Sequence, residues 1–365
     1  MKYRITCLTP TLVGNGQRLS PIDYMVWRDQ VNILDQNRIF KLLARGPRLE
    51  GYLAQLKKSE KLDFASWGGF AQNFAGRRIP FEHASSTQFW TNARAENLFI
   101  PVFATGPQGK LIPGTAVKGA LRTAFVHARI GERQIKDAAN QTASDPRALR
   151  RAGPAAEDSA LGGSGQTLMR SIAPADSSGV AESSFRVYLL RTSTVEAAGA
   201  GRYQLAWKTS PRGAVRKADD STPAFAEMAV PGTTFEGGWY ESGERVGALL
   251  RAGNEYAAHV LALHRQYAES TGLSVLRTAI EALEKSVADA GAQKACVLPL
   301  GWGGGFLSKV AFLDTTDESY RQVLRQVMFY ARAIESRLPF PKTRRIVFLE
   351  NRPATLPGWV RFELA

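Results

Sequence analysis

Apolar and polar positions alternate from the first residues. The run KYRITCLTPTLVGNG reads as a strand that Pro10 ends, followed by a turn made of Gly14, Asn15 and Gly16. A second strand is expected at residues 23–27 (DYMVW), and Asn37 is placed to cap a helix carrying Phe40, Leu42 and Leu43. Residues 97–103 (NLFIPVF) and the run FRVYLLRTSTV predict further strands, as does EMAVPGTTFEGGWY. The period then changes to that of a helix. Tyr256, Val260, Leu263 and Tyr267 share one helical face, and Leu276, Ile280, Leu283 and Val287 share another. Tyr320, Leu324, Val327, Ala331 and Ile334 mark a third helix. The chain closes with two strand-like runs, PKTRRIVFLE and PGWVRFEL.

Three stretches break the pattern. Residues 60–95 mix Gly, Ser, Asn and aromatics without a clear period and read as an insertion or docking loop. Residues 131–166 are rich in Ala, Gly, Ser, Asp and Arg and read as mobile. Residues 194–226 are a polar, basic excursion between two strands and predict an extended hairpin projecting from the body. No tandem repeat of fixed period is visible.

With 365 residues there is room for two ordinary domains, and 44% hydrophobic residues suffice for a core. No run approaches the ~20 apolar residues of a spanning helix, and the N-terminus has no signal-peptide pattern, so a soluble, cytoplasmic protein is expected. Cys7 and Cys296 belong to no C-x-x-C pair and are expected as buried free thiols. Lys plus Arg number 47 against 33 Asp plus Glu, a net charge of +14. That excess points to a polyanion, with nucleic acid the leading candidate. No strongly basic amphipathic helix offers itself to a membrane surface.

Four segments carry candidate chemistry. In KLIPGTAVKGALRTAF, Thr115 is the expected N-cap, and Lys118 and Arg122 lie four apart on one helical face. A helix start suits phosphate, and Gly119 allows close approach of a backbone or base. The segment is no Walker P-loop, because Gly119 follows the Lys. An ordinary capped amphipathic helix remains the bland alternative. The second feature is a pair of Gly-rich loops, Gly14 to Gly16 and Gly301, Trp302, Gly303, Gly304 and Gly305. Glycines free backbone N–H groups to face an anion, Trp302 suits base stacking, and Lys309 is in reach of a phosphate. The third is the basic excursion, where Arg202, Lys208, Arg212, Arg216 and Lys217 alternate with Tyr203 and Trp207, a mixture suited to single-stranded nucleic acid or to a solvated loop. The fourth is Lys342, Thr343, Arg344 and Arg345, either a phosphate contact or the charged guard of an edge strand.

Catalytic signatures are scarce. His259 and His264 are five apart, about 140° around a helix, which is poor for a shared metal. Neither H-E-x-x-H nor G-x-S-x-G occurs. His127 and Asp23 are lone candidates.

The N-terminal strand with its Gly loop, IPGTAVKGALRT, the segment RSIAPADS that begins at Arg170, the run EMAVPGTTF and the C-terminal Gly loop together resemble the RAMP superfamily of CRISPR proteins. Within it, LTPTLVGNGQRLSPIDYMV and LGWGGGFLSK with PKTRRIVF and PGWVRFEL resemble the subunit-five family of type III-A Csm complexes. The resemblance implies an α+β fold of tandem RRM-like (ferredoxin-like βαββαβ) modules with helical insertions and a thumb-like β-hairpin at residues 194–226. It implies a first module over residues 1–240 and a helical and RRM-like part over 241–365. It also implies a structural subunit that binds guide RNA (crRNA), caps its 3′ end and supports its maturation in antiviral defence. The implied partners are crRNA, target RNA, the repeating backbone subunit and the small subunit, with no cofactor. In the related backbone subunit an Asp after the first Gly loop cuts target RNA. Asp23 falls near that place, but the subunit-five resemblance implies no cutting. The alternative is a RAMP-type endoribonuclease that processes repeat RNA through His127 or Asp23. The expected RNA contacts are the two Gly loops, Thr115, Lys118, Gly119, Arg122, Arg170, Lys208, Arg212, Arg216, Lys217, Lys309, Lys342, Arg344 and Arg345.

Overall fold

The computed structural model describes residues 1–44, 46, 48–58, 61–62, 74–162, 169, 171–199, 203–211, 213–241, 246–336 and 338–364. The architecture is α+β, built on two large sheets whose pairings are all antiparallel. In the first, strand Lys2–Cys7 buries Tyr3, Ile5 and Cys7, as its alternation dictates. It lies between Thr234–Glu241 and Trp359–Leu364, so Ile5 faces Phe235 on one side and Phe362 on the other. Ile172–Ser177 and Ala295–Pro299 form the outer strands. The second sheet centres on Phe185–Ala197, flanked by Thr343–Leu349 on one edge and by Ala224–Ala229 and Tyr203–Lys208 along the other. Both sheets take strands from either side of residue 240, so the expected division there does not follow the sheets. The reason is antiparallel pairing, which lets the C-terminal strands fill open edges left by earlier ones.

Helix Gly114–His127 packs on strand Ile172–Ser177 and on the long helix Val246–Thr271, which in turn packs on Ser274–Gly291 and on strand Ala295–Pro299. The expected faces are the buried ones: Tyr256, Val260 and Tyr267, then Leu276, Ile280 and Leu283. Gly253 lets the long helix close on the sheet, since a Cβ there would stand 2.8 Å from Cys296 Sγ. Cys7 and Cys296 are buried free thiols, and burial raises both pKa values, that of Cys7 to about 12.

Several expectations are corrected. Residues 131–166, expected to be mobile, carry helices Glu132–Ser144 and Leu149–Ala160. Apart from Ile135, their buried faces are made of Ala138, Ala139, Thr142, Ala152 and Ala160, residues too small to mark a strong period. The stretch 60–95 contributes strand Ala75–Pro80, which pairs with Gln30–Leu34, and buries Trp90, whose Nε1 donates to Tyr24 Oη at 2.9 Å. Helix Gln36–Leu43 is capped by Asp35, not Asn37, and buries Ile39 and Leu43 while Phe40 and Leu42 stay exposed. The third helix is two, Glu318–Arg325 and Met328–Glu335, parted at the extended backbone of Val327. The expected projecting hairpin is laid into the second sheet instead. Strand Tyr203–Lys208 pairs on both edges, and Trp207 is buried edge-on against Phe348 at 5.6 Å. The packing free energy of a buried Trp outweighs solvating the arm.

Between the sheets lies a buried ion network. Glu227, fully buried, accepts from Lys110 Nζ at 2.9 Å, from the Phe103 N–H at 3.1 Å and from Arg77, which also bonds Glu182 at 2.6 Å. Replacing one partner strands the other charge in apolar surroundings. Glu227→Gln is therefore expected to cost about 3–5 kcal/mol of folding stability, read from urea unfolding. A loss below about 1 kcal/mol would mean that water reaches Lys110.

Candidate nucleic-acid interface

The first Gly loop is shaped by its own residues. Asn15 Oδ1 accepts from the Gln17 N–H at 3.1 Å, an Asx turn, and Gly16 takes a φ of +90°. Its flanks pair with the chain around residue 103: Ala104 N–H donates to Val13 O at 2.9 Å and Val102 N–H to Gln17 O at 3.2 Å. The second Gly loop is sewn to the first, backbone to backbone. Trp302 N–H donates to Leu12 O at 2.7 Å, Leu300 N–H to Gly358 O at 2.6 Å, and Gly358 N–H to Pro10 O at 2.9 Å. Gly301 makes the crossing possible. It adopts φ +83°, and a Cβ there would overlap the Leu12 carbonyl oxygen.

The two loops form the walls of one open cleft of about 940 Å³. Its floor is one face of helix Gly114–His127, formed by Ala116, Gly119, Ala120 and Thr123. Arg18, Lys309 and Arg345 line it together with Gln17, Phe99 and Trp302, and among the described residues no acidic one does. Arg18 stacks on Phe99 at 4.8 Å and Arg345 on Trp302 at 4.0 Å. Burial lowers the pKa of Arg345 from its ordinary value. Three cations with no counter-charge among the described residues, alternating with aromatic rings, match a strand of phosphates and bases.

The structure thus gathers Gly14, Gly16, Gly119, Trp302, Gly303, Gly305, Lys309 and Arg345 at one place. Asn15 shapes the loop without lining the cleft, and Gly304 lies just behind it. Arg18, Gln17 and Phe99 were not anticipated. The one available signal was a cation two residues beyond the first Gly loop.

Other expected contacts lie elsewhere. Thr115 does not cap its helix. Pro113 holds the cap position, and Asp176 Oδ1 accepts from the Gly114 N–H at 2.8 Å, so a carboxylate already occupies the helix start meant for phosphate. Lys118 and Arg122 do not line the cleft, and Arg122 is paired with Glu157. The helix presents its small residues to the cleft because its cations lie off that face. Lys208, Arg216 and Lys217 are exposed in and after strands Tyr203–Lys208 and Ala214–Val215. Lys342 is near Lys208, whose pKa is lowered by burial and then by the Lys342 charge. None of these four lines the cleft. Arg170 and Arg212 lie outside the described residues.

Arg344 is not a surface cation. It is 7% exposed, donates from Nε to His264 Nδ1 at 3.0 Å and from Nη1 to Pro341 O at 2.6 Å, and lies over the Tyr267 ring at 4.5 Å. Burial pulls its pKa down to about 10. Burial, then the Arg344 charge, holds the His264 pKa well below 6.5. His264 is therefore neutral when folded and free to protonate when unfolded. Its contribution to stability is present above pH 6.5 and is lost as pH falls below it. The unfolding free energy from urea titrations taken downward from pH 7 should fall at up to about 1.4 kcal/mol per pH unit from this group, and His264→Gln should flatten that slope.

The two lone catalytic candidates hold structural bonds. His127 Nδ1 donates to Ala311 O at 2.6 Å, and its ring lies 5.2 Å from Tyr256 and 5.3 Å from His259. Asp23 Oδ2 accepts from the Ser20 N–H at 2.7 Å in a turn. Among the described residues no helix is long and apolar enough to cross a membrane.

No curated protein matches the chain. Two solved structures share its fold over their full length. One is a chain of the cryo-EM structure of the Csm–crRNA–target RNA ternary complex in a type III-A CRISPR-Cas system, with a TM-score of 0.62, 18% identity and 100% of both chains covered. The other is the crystal structure of T. onnurineus Csm5, with a TM-score of 0.59 and 17% identity over 98% of this chain and 99% of that one. The RAMP superfamily model matches residues 4–239, which contain the first Gly loop and the helix under the cleft. The chain belongs to the RAMP superfamily.

Proposed function

We propose that this chain is a crRNA-binding structural subunit of a type III-A Csm interference complex, which caps the 3′ end of the guide and supports its maturation in antiviral defence. The observation that carries the reading is the cleft: two Gly loops and three cations meet with aromatic rings and, among the described residues, no acid. The full-length likeness to a chain of a Csm–crRNA–target RNA complex supports it. In this reading the two large sheets belong to tandem RRM-like modules, the partners are crRNA, target RNA and the backbone and small Csm subunits, and the site of action is the cytoplasm. The subunit is non-catalytic, in keeping with the structural bonds that hold His127 and Asp23.

Purified protein titrated with labelled single-stranded RNA should bind with an affinity that falls linearly in log–log form as salt rises. Co-expression with its genomic neighbours should yield co-purified guides with uniform 3′ ends. Binding that ignores salt, or co-purification without RNA, would refute the reading. RNA cleavage lost on His127→Ala would replace it with the endoribonuclease.

A further inference from the structure

Behind the second Gly loop a smaller chamber of about 110 Å³ adjoins the cleft. Cleft and chamber share Pro299, Gly303, Gly305, Ser308 and Arg345 as walls. The volume is several times the roughly 10–15 Å³ that one water requires. Its apolar surface comes from Val260, Phe306, Leu356, Pro357 and Trp359, and polar groups line about as much of it. Among the described residues no acidic one lines it.

Among the described residues, the chamber wall carries a ring donor with no protein acceptor. His264 lines it and is only 5% exposed. Its Nδ1 accepts from Arg344 Nε, so the neutral ring carries its proton on Nε2. That Nε2–H has no protein partner among the described residues. Of the nearby guanidinium groups, Arg344 is held by His264 and the Pro341 and Thr343 carbonyls, while Arg345 lies flat on the Trp302 ring at the boundary with the cleft. A phosphate is therefore served on the cleft side by Arg345. A flat ring with an acceptor edge would find apolar faces and the Nε2–H donor inside.

We propose that this chamber receives one unpaired nucleobase from the RNA strand in the cleft, with His264 Nε2–H donating to a carbonyl oxygen or ring nitrogen of the base. The proposal rests on the cleft being the RNA site. The strand's backbone stays beside Arg18 and Lys309 while one base turns in past Gly303 and Gly305.

The test is photocrosslinking of single-stranded RNA in which 4-thiouridine replaces every uridine, followed by mass spectrometry of the crosslinked peptides. Crosslinks are expected in the peptides that carry Phe306 and His264, beside those on Trp302. Thr192 lines the chamber but not the cleft. Thr192→Phe should fill the chamber and remove the Phe306 and His264 crosslinks while Trp302 still reacts. RNA bound with salt dependence but crosslinked only at Trp302 and Phe99 would overturn the chamber and leave the cleft standing. No RNA binding at all would overturn the cleft, and the chamber with it. Should Thr192→Phe fail to fold, the wild-type crosslink map alone decides. Uridine monophosphate that displaces the strand as well as a competing strand does would show a free-nucleotide site instead.

Discussion

Exchanging Arg18 and Lys309 together for alanine should weaken binding of single-stranded RNA about a hundredfold at low salt. Each cation contributes one charge-assisted contact of at least about 1.5 kcal/mol, near a factor of ten apiece. The salt slope should flatten by about 1.4, since each neutralised phosphate on a single strand contributes about 0.7. Both side chains line the cleft, and neither is among its buried groups, so folding should be intact. The matched control is Lys118→Ala with Arg122→Ala, cations of the helix under the cleft that do not line it. That pair should change affinity less than about threefold. If the control pair proves the damaging one, the RNA lies on the other face of helix Gly114–His127.

Gly301→Ala should be the most destructive single substitution in the loops. The residue sits at φ +83°, where an L side chain costs about 1–2 kcal/mol, and its Cβ would overlap the Leu12 carbonyl oxygen and lie 3.0 Å from Val13 Cγ2. The overlapped atom is backbone and accepts the Trp302 N–H, so it cannot move without opening the seam between the two Gly loops. A loss of about 4 kcal/mol or more is expected in urea unfolding, with RNA binding lost as well. Gly305→Ala is the contrast. Its φ is +71°, but nothing lies within 4 Å of the added carbon, so only the strain of about 1–2 kcal/mol applies. Equal effects of the two would mean that strain, not the close approach of the loops, sets the cost.

The sequence was most informative where side-chain periodicity and turn chemistry act locally. Lys2–Cys7, Phe185–Ala197 and the two long helices were legible because their buried residues are large and regularly spaced. Both Gly loops were legible because φ values such as +90° at Gly16 and +83° at Gly301 call for glycine. The two Ala-faced helices at residues 132–160 were missed because alanine contrasts little with polar neighbours. The cap of helix Gly114–His127 was missed because its carboxylate comes from Asp176, on a distant strand.

The candidate site divides along the same line. Sequence alone determined that the chain is basic, that it carries two glycine-rich loops, and that cations follow both, because composition and backbone permissiveness are properties of residues taken singly. It did not determine which cations share a site. Arg344 and Arg345 are neighbours in a strand, yet one is buried against His264 and the other is stacked at the cleft. Successive strand residues point to opposite faces, and only the packed sheet decides which face meets the cleft. Helix Gly114–His127 likewise carries two cations and a small-residue face, and its docking on strand Ile172–Ser177 and helix Val246–Thr271 decides which of these lines the cleft. Convergence of loops nearly 300 residues apart is a long-range outcome, made by the backbone seam from Leu12 to Trp302. Local preference cannot encode such a seam, because its partners are neighbours only through the first sheet, which sets Lys2–Cys7 beside Trp359–Leu364 and that strand beside Ala295–Pro299.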